Sequence, residues 1–229
     1  GKRWQNDSTV VGPRPPPAFP VPPMARSKSS GRWLQRHVND PYVKQAQRDG
    51  YRSRAAYKLI ELNEKDRLIR PGMRVLDLGS APGGWSQVLS RLLGSKGRVL
   101  ATDILPMDAV QNVDFIQGDF TDEAVVGKIH DWLGGAKFDL VVSDIAPNIT
   151  GIDSADQASS IYFLELAVDT VRETLKPGGA FVAKMFQGAG SDAWLKDLRT
   201  SFQKVSIRKP GASRPESREV FVVAKGFKG

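Results

Sequence analysis

The sequence predicts an α/β protein with a doubly wound, mostly parallel sheet of seven strands and an antiparallel strand at one edge. An apolar segment at residues 73–78 runs into a glycine-rich turn, residues 79–84, and then into an amphipathic helix. Downstream, apolar runs of strand length alternate with segments of helical periodicity. The first strand, turn and helix therefore predict the start of a sheet that binds its ligand where the strands end.

The other elements follow from the same alternation. Strands are predicted near residues 97–102, 113–117, 138–143, 179–186, 203–208 and 218–224, and helices near 84–93, 121–133, 156–175 and 190–202. Residues 176–179 read Lys-Pro-Gly-Gly, a combination that ends a helix and turns the chain into a strand. Because residues 209–217 alone separate the last two strands, we expect these strands to form an antiparallel hairpin at one edge.

Composition limits the classes of function. The chain has 229 residues, with 33 Lys plus Arg against 25 Asp plus Glu. The net charge of +8 and the pI near 9.8 favour a polyanionic partner. Zero cysteines and two histidines argue against disulfides and a metal centre, and no apolar run reaches the roughly 18 residues of a membrane span. The sequence thus indicates a soluble, cytoplasmic protein that handles nucleic acid without membrane contact.

Three segments are expected along the chain. Residues 1–23 begin with Gly and contain seven prolines, so we expect them to be disordered or artificially added, with Met24 as the natural start. Residues 24–62 are rich in Lys and Arg interleaved with aromatic residues, a composition that suits RNA phosphates and bases. The alternative is a solvated helical face with aromatics packed in the core. Residues 63–229 hold the predicted sheet.

The spacing of the glycines narrows the ligand. The turn has Gly79, Gly83 and Gly84, which fits neither the dinucleotide fingerprint Gly-x-Gly-x-x-Gly nor a P-loop. Acidic residues accompany three successive strands: Asp77 within the first, Asp103 at the end of the second and Asp119 after the third. Each acid alone could be a simple helix or turn cap. Together they suit a ligand with ribose hydroxyls and a positive charge, and S-adenosylmethionine, a sulfonium, fits that description.

Four charged residues are expected to meet at the same edge of the sheet. Asp144 follows the fourth strand, Lys184 lies inside the apolar fifth strand, Glu219 begins the last strand, and Lys58 lies in the helix before the sheet. They could be two structural ion pairs. However, methyl transfer from a sulfonium to a ribose hydroxyl needs a base for the hydroxyl proton, and a lysine that has lost its own proton can be that base. Apolar surroundings favour that loss and carboxylates oppose it.

Several motifs in order resemble the bacterial FtsJ/RrmJ ribosomal RNA 2′-O-methyltransferases, from about residue 32 to the C-terminus. They are Arg52-Ser-Arg54, Asp77-Leu-Gly-Ser-Ala-Pro-Gly-Gly-Trp85, Leu105-Pro-Met-Asp108, Gln117-Gly-Asp119-Phe120, Ser143-Asp-Ile-Ala-Pro-Asn148, Lys184-Met-Phe-Gln187 and Ser217-Arg-Glu-Val220. One departure is Ser80, where bacterial members often have alanine.

The resemblance implies a Rossmann-like, S-adenosylmethionine-dependent methyltransferase fold and a Lys-Asp-Lys-Glu tetrad. Lys184 would be the general base, Lys58 and Glu219 would orient it and the ribose, and Asp144 would also lie near the methyl donor. Cofactor contacts would come from Gly79, Gly83, Trp85, Asp103, Asp119 and Asp144. Phosphate contacts are expected from Arg32, Arg52, Arg54, Arg208, Lys209 and Arg214. The implied substrate is a uridine of 23S ribosomal RNA on the assembled large subunit, and the implied enzyme is a monomer.

Three rival interpretations remain at this point. The first is an RNA-binding or assembly factor without catalysis, although such a role would not require Lys184 on an apolar strand. The second is a nicotinamide-dependent oxidoreductase, which the glycine spacing opposes. The third keeps the chemistry and changes the substrate to transfer RNA or an mRNA cap.

Overall fold

The structure, a computed structural model, describes residues 28–229. The predicted extension at residues 1–23 and the expected start at Met24 lie outside these residues. By its internal contacts the chain divides between His37 and Val38. The described part of the first unit is helical, and its Arg32 side chain is exposed.

The second unit contains every strand and helix that the sequence predicts. The strands are β1 (Arg74–Leu78), β2 (Arg98–Asp103), β3 (Val113–Gln117), β4 (Phe138–Ser143), β5 (Leu175–Phe186), β6 (Phe202–Arg208) and β7 (Glu219–Phe227). The helices are α1 (Lys28–Asn39), which crosses the division, α2 (Pro41–Asp49), α3 (Ala55–Asp66), α4 (Gly84–Leu93), α5 (Glu123–Leu133), α6 (Asp153–Thr174) and α7 (Ser191–Ser201). None of the helices within residues 28–229 is long and apolar enough to cross a bilayer.

The seven strands form one sheet in the order β3-β2-β1-β4-β5-β7-β6. Strands β1 to β5 pair in parallel, and β7 is antiparallel to both β5 and β6. The predicted α/β fold, mostly parallel with antiparallel pairing towards one edge, is confirmed. The antiparallel strand itself is β7, which lies between β5 and the edge strand β6.

The Lys-Pro-Gly-Gly segment follows α6, as predicted, but it lies within strand β5 and not before it. Leu175 pairs with Phe138 and Ala180 pairs with Leu140, so residues 176–179 form an excursion between the two pairs. Gly178 has φ of +82°, a left-handed conformation that glycine adopts without a steric penalty. Strand β5 therefore begins four residues earlier than predicted.

Apolar residues alternate between the two faces of the sheet and form two core layers. One layer packs β-strand residues such as Leu76 and Phe181 against α5, α6 and α7. The other packs Val75 and Phe221 against α3 and α4. Helix α3 contributes Leu59 and Leu62 to this layer, so it belongs structurally to the sheet domain. The assignment of residues 24–62 to RNA binding stays a prediction.

Candidate active site

The glycine loop brings the ends of β1 and β4 into close contact. Gly79 has φ of +70°, and a Cβ atom at this position would lie 2.3 Å from Cγ1 of Ile145, in the loop after β4. Both the left-handed backbone and the missing side chain are therefore needed here. This contact places Asp144, which precedes Ile145, beside the loop.

A cavity of about 310 Å³ opens at the carboxyl ends of β1 to β4. Its lining combines glycine-loop atoms, apolar side chains and carboxylates: Gly79, Ala81, Thr102, Asp103, Ile104, Leu105, Gly118, Asp119, Phe120, Asp144, Ile145, Ala146, Pro147, Asn148 and Phe163. Ligand sites are typically concave and mostly apolar, with a few fixed polar groups. The cavity is therefore a ligand site by its shape and its chemistry.

Backbone N–H groups fix two of its carboxylates. Asp103 accepts hydrogen bonds from the N–H of Ala81 at 2.8 Å and of Leu105 at 2.9 Å, which ties β2 to the glycine loop. Asp119 accepts from the backbone N–H and the hydroxyl of Thr121. Both caps that the alternative interpretation expected are thus present, and both carboxylates also line the cavity.

Asp77, the third acid of that set, lies away from the cavity surface. Its side chain is buried and accepts a hydrogen bond of 2.7 Å from the Ser86 hydroxyl in α4. Burial raises the pKa of Asp77 to about 7, and the nearby carboxylates of Asp144 and Asp103 add to this rise. Asp77 therefore joins β1 to α4 and does not line the ligand cavity.

Lys58, Asp144, Lys184 and Glu219 meet beside the cavity and form a connected tetrad of charges. Lys184 Nζ lies 3.2 Å from Asp144 Oδ1 and 3.8 Å from Glu219 Oε2. Lys58 Nζ lies 2.7 Å from Glu219 Oε1. Asp144 is the member that also lines the cavity. The structure thus brings together all four residues from four separate elements.

The pKa values of the two carboxyl groups of the tetrad are shifted in opposite directions. Burial raises the pKa of Asp144, and the neighbouring lysines Lys184 and Lys58 offset only part of that rise. Burial acts in the same direction on Glu219, but Lys58, Lys184 and the Ser213 hydroxyl together outweigh it, so the pKa of Glu219 lies below its usual range. Glu219 is accordingly the firmly ionised partner.

Two residues that were predicted to contact the cofactor do not line the cavity. Trp85 is 3% exposed, donates its indole N–H to the carbonyl of Ala55 and packs against Phe221 in the core. Gly83 precedes α4 with φ of +119°, and a Cβ there would lie 2.9 Å from the guanidinium of Arg52. The structure thus gives Trp85 a packing role and Gly83 a close-approach role.

Most of the predicted phosphate-binding residues have partners inside the protein. Arg52 donates to the carbonyls of Pro82, Asp108 and Ala109, and so joins the glycine loop to the loop after β2. Arg54 pairs with Asp40 at 3.2 Å and donates to the carbonyl of Ala212.

The remaining predicted phosphate contacts lie at the end of β6, in the loop between β6 and β7, and in the first unit. Arg208 donates two hydrogen bonds to the Asp66 carboxylate. Lys209 donates to the carbonyls of Ser217 and Glu219. Arg214 lies 3.7 Å from Asp40 with its side chain 39% exposed. Arg32 and Lys209 are the exposed residues of the set, and the other four are partly buried.

Sequence reasoning missed two contributors to the site. Ser213 is buried and donates its hydroxyl to Glu219 Oε1 at 3.0 Å, six residues before Glu219 in the chain. Phe163 reaches the cavity from the middle of α6. A serine close to a predicted catalytic acid was a usable signal, whereas nothing local marks Phe163, since its place depends on how α6 packs.

Comparisons with known proteins agree in family. Residues 51–227 match the family model described as FtsJ-like methyltransferase. A protein from Stutzerimonas stutzeri named ribosomal RNA large subunit methyltransferase E is 69% identical over 206 residues, which are 90% of this chain and all of that protein. A protein of the same name from Pseudomonas aeruginosa is 57% identical, with the same coverage. A crystal structure from Plasmodium falciparum, provisionally described as a ribosomal RNA methyltransferase, covers 78% of this chain with 33% identity and a TM-score of 0.70.

Proposed function

Because the chain belongs to the FtsJ-like methyltransferase family, we propose that it transfers a methyl group from S-adenosylmethionine to a ribose 2′-oxygen of large-subunit ribosomal RNA. The nucleotide is a uridine of 23S RNA, and the substrate is the assembled large subunit. The relatives named above are large-subunit ribosomal RNA methyltransferases. The net charge of +8 supports a polyanionic substrate.

The observation that carries the proposal is the position of Lys184. Its Nζ lies between Asp144 at 3.2 Å and Glu219 at 3.8 Å, and its side chain is 10% exposed. An ammonium this enclosed is costly unless it is paired, and here one partner, Asp144, also lines the ligand cavity. This position supports a role for Lys184 beside a methyl donor bound in that cavity.

The cavity suits S-adenosylmethionine on three counts. Asp103 lies at the end of β2. In nucleotide sites of this architecture, a carboxylate at that position accepts hydrogen bonds from ribose hydroxyls. Asp119 adds acceptors, and Ile104, Leu105 and Phe163 offer apolar surface for a flat base. Asp144 places a negative charge where a sulfonium can be stabilised.

The tetrad positions a base for the reaction. When bound, S-adenosylmethionine supplies an electrophilic methyl group on a sulfonium, which leaves as a neutral thioether. Lys184 would act as the base in its neutral amine form, after its ammonium proton has passed to solvent. The neutral Lys184 amine then takes the 2′-hydroxyl proton as the ribose oxygen bonds to the methyl carbon. Lys58 and Ser213 hold Glu219, which in turn orients Lys184.

The test is methyl transfer from labelled S-adenosylmethionine to large subunits purified from cells that lack the enzyme. We compare wild type, Lys184→Ala and the matched control Lys196→Ala, since Lys196 is an exposed lysine of α7. The labelled nucleotide is mapped, and cofactor affinity is measured by calorimetry. We expect one labelled uridine ribose with wild type and control, and none with Lys184→Ala despite nearly unchanged cofactor affinity.

Other results separate the rival interpretations. Substantial methylation by Lys184→Ala would remove Lys184 as the base. Label on transfer RNA or on capped RNA, and none on subunits, would move the substrate. Binding of RNA without any transfer would favour the assembly factor.

A further inference from the structure

A second concave site lies at the opposite edge of the sheet from the tetrad. This amino-edge pocket has a volume of about 160 Å³ and is lined by Arg67, Leu68, Arg70, Met73, Asp139, Lys176, Gly178, Gly179, Ala180 and Lys225. It lies at the amino ends of β1, β4 and β5. Asp139 of this pocket and Asp144 of the tetrad are five residues apart along β4 and its end, which corresponds to roughly 17 Å.

Two local features of the chain build the pocket. Helix α3 ends at Asp66, and the next residue, Arg67, has φ of +53° and donates its N–H to the carbonyl of Asn63, so the chain turns sharply there. On the other side, the excursion at residues 176–179 leaves the sheet and supplies Gly178 and Gly179 as a wall. The concavity is therefore a consequence of backbone features.

The carboxylates in and around the pocket are already neutralised. Asp139 pairs with Lys176 and also accepts the N–H of Arg74. Asp66, next to Arg67 in the chain, forms its two-bond pair with Arg208. These pairs leave no acidic group of the pocket to balance Arg67, Arg70 or Lys225.

The remaining cations lack acidic partners within residues 28–229. Arg67 and Arg70 are exposed, and neither side chain has a hydrogen bond or an ion pair there. Lys225 donates to the backbone carbonyl of Asp66, which carries no net charge. On the neighbouring strand β6, Lys204 lies directly opposite Lys225 of β7. Like charges directly opposite each other on neighbouring strands are unfavourable unless an anion or solvent screens them.

We propose that the amino-edge pocket binds a phosphate group of the RNA substrate, at a nucleotide other than the one that is methylated. The inference rests on the proposed function. Arginine guanidinium groups match the oxygens of phosphate, and the lining contains no aromatic ring on which a base could stack. Such a contact positions the enzyme on its substrate without reading sequence. The distance from the tetrad places this phosphate on a separate part of the RNA.

The experiment compares the wild type with two variants that each lack two positive charges, at different places on the surface. They are the pocket variant Arg67→Gln/Arg70→Gln and the control Lys196→Gln/Arg199→Gln, which removes the same charge from exposed positions of α7. KM and kcat for large subunits are measured over a series of salt concentrations, and the Kd of S-adenosylmethionine is measured by calorimetry. Thermal unfolding shows whether each variant is folded.

Loss of this one phosphate contact should raise KM and lower the slope of log KM against log salt by about 0.7 to 0.9. The control should keep the wild-type slope, and kcat and cofactor Kd should stay within about twofold in both variants. Equal slopes for the two variants would overturn the proposal. Thermal stabilisation of the wild type by inorganic phosphate, lost in the pocket variant without a change of KM, would also overturn it and indicate a free-anion site.

Failure of the proposed function gives a different result. If the wild type transfers no label to subunits, that function fails by itself. The same three proteins then report on the pocket through equilibrium binding of purified large-subunit RNA, with the same expected difference in salt slope.

Discussion

Lys58 Nζ lies 2.7 Å from Glu219 Oε1, and this is the shortest ion pair of the tetrad. Both side chains are 11% exposed. The other lysine, Lys184, has longer contacts of 3.2 Å and 3.8 Å to its two carboxylates. The geometry therefore separates the two lysines: Lys58 holds Glu219 by a short ion pair, whereas Lys184, the proposed base, has longer contacts to two carboxylates.

Removal of Lys58 should destabilise the protein. Lys58→Met leaves the Glu219 carboxylate buried without its main partner, and breaking a buried pair in this way costs roughly 3–5 kcal/mol. We expect a value near the lower limit, because Lys184 and Ser213 still contact Glu219. Urea unfolding at pH 7 measures the loss. The double variant Lys58→Met/Glu219→Gln should recover part of it, and an unchanged midpoint in the single variant would contradict the role of Lys58.

Asp77 should make the free energy of unfolding fall as the pH rises. The pKa of Asp77 is about 7 in the folded protein against 3.8 for the free side chain, because of burial. Between these values the folded state keeps a proton that the unfolded state has lost. Stability therefore declines from about pH 4 to about pH 7 and then levels off. The decline amounts to a few kcal/mol at about 1.4 kcal/mol per pKa unit.

The variant Asp77→Asn isolates this effect, because an amide cannot ionise and its oxygen can still accept the Ser86 hydroxyl. At pH 8 the variant should be more stable than wild type, and its advantage over wild type should grow between pH 4 and pH 7, whereas the pH curve of the control Asp131→Asn should stay parallel to that of wild type. Asp131 is an exposed carboxylate of α5. Parallel pH curves for wild type and Asp77→Asn would show that Asp77 titrates normally in the folded protein.

The elements of the fold were predictable because their signals are local. Apolar periodicity and the glycine turn placed β1 and α4 to within a residue. The early start of β5 was missed, since it depends on the pairing of Leu175 with Phe138, 37 positions away in the chain. The order of β7 and β6 likewise depends on partners and not on local sequence.

The tetrad was predictable because each member has an unusual local setting, such as Lys184 within an apolar strand. The partners of the arginines were not. A basic segment predicts cations, but its sequence does not show that Arg52 and Arg54 contact backbone carbonyls of distant loops. The packing of the Trp85 side chain was also not predictable, because it depends on how Phe221 of β7 is brought against α4, and the predicted cofactor contact of Trp85 stays a prediction.

Asp103 should contribute strongly to cofactor affinity. Replacement by alanine removes charge-assisted hydrogen bonds worth about 1.5–3 kcal/mol, which corresponds to roughly a 10- to 150-fold rise in the Kd of S-adenosylmethionine. It also releases the N–H groups of Ala81 and Leu105 at the cavity wall. Calorimetry measures the change, with Asp131→Ala as the exposed control. Unchanged affinity would mean that the end of β2 is not the ribose site.

Arg52 should act on the cofactor and not on RNA. Its guanidinium joins the carbonyl of Pro82, in the glycine loop, to those of Asp108 and Ala109. Arg52→Ala releases that connection, so we expect weaker S-adenosylmethionine binding and a KM for large subunits within about twofold of wild type at saturating cofactor. Arg52→Lys keeps the charge but cannot span three carbonyls, so it should resemble alanine. If lysine restores activity, and alanine raises only the KM for subunits, Arg52 instead contacts RNA phosphate.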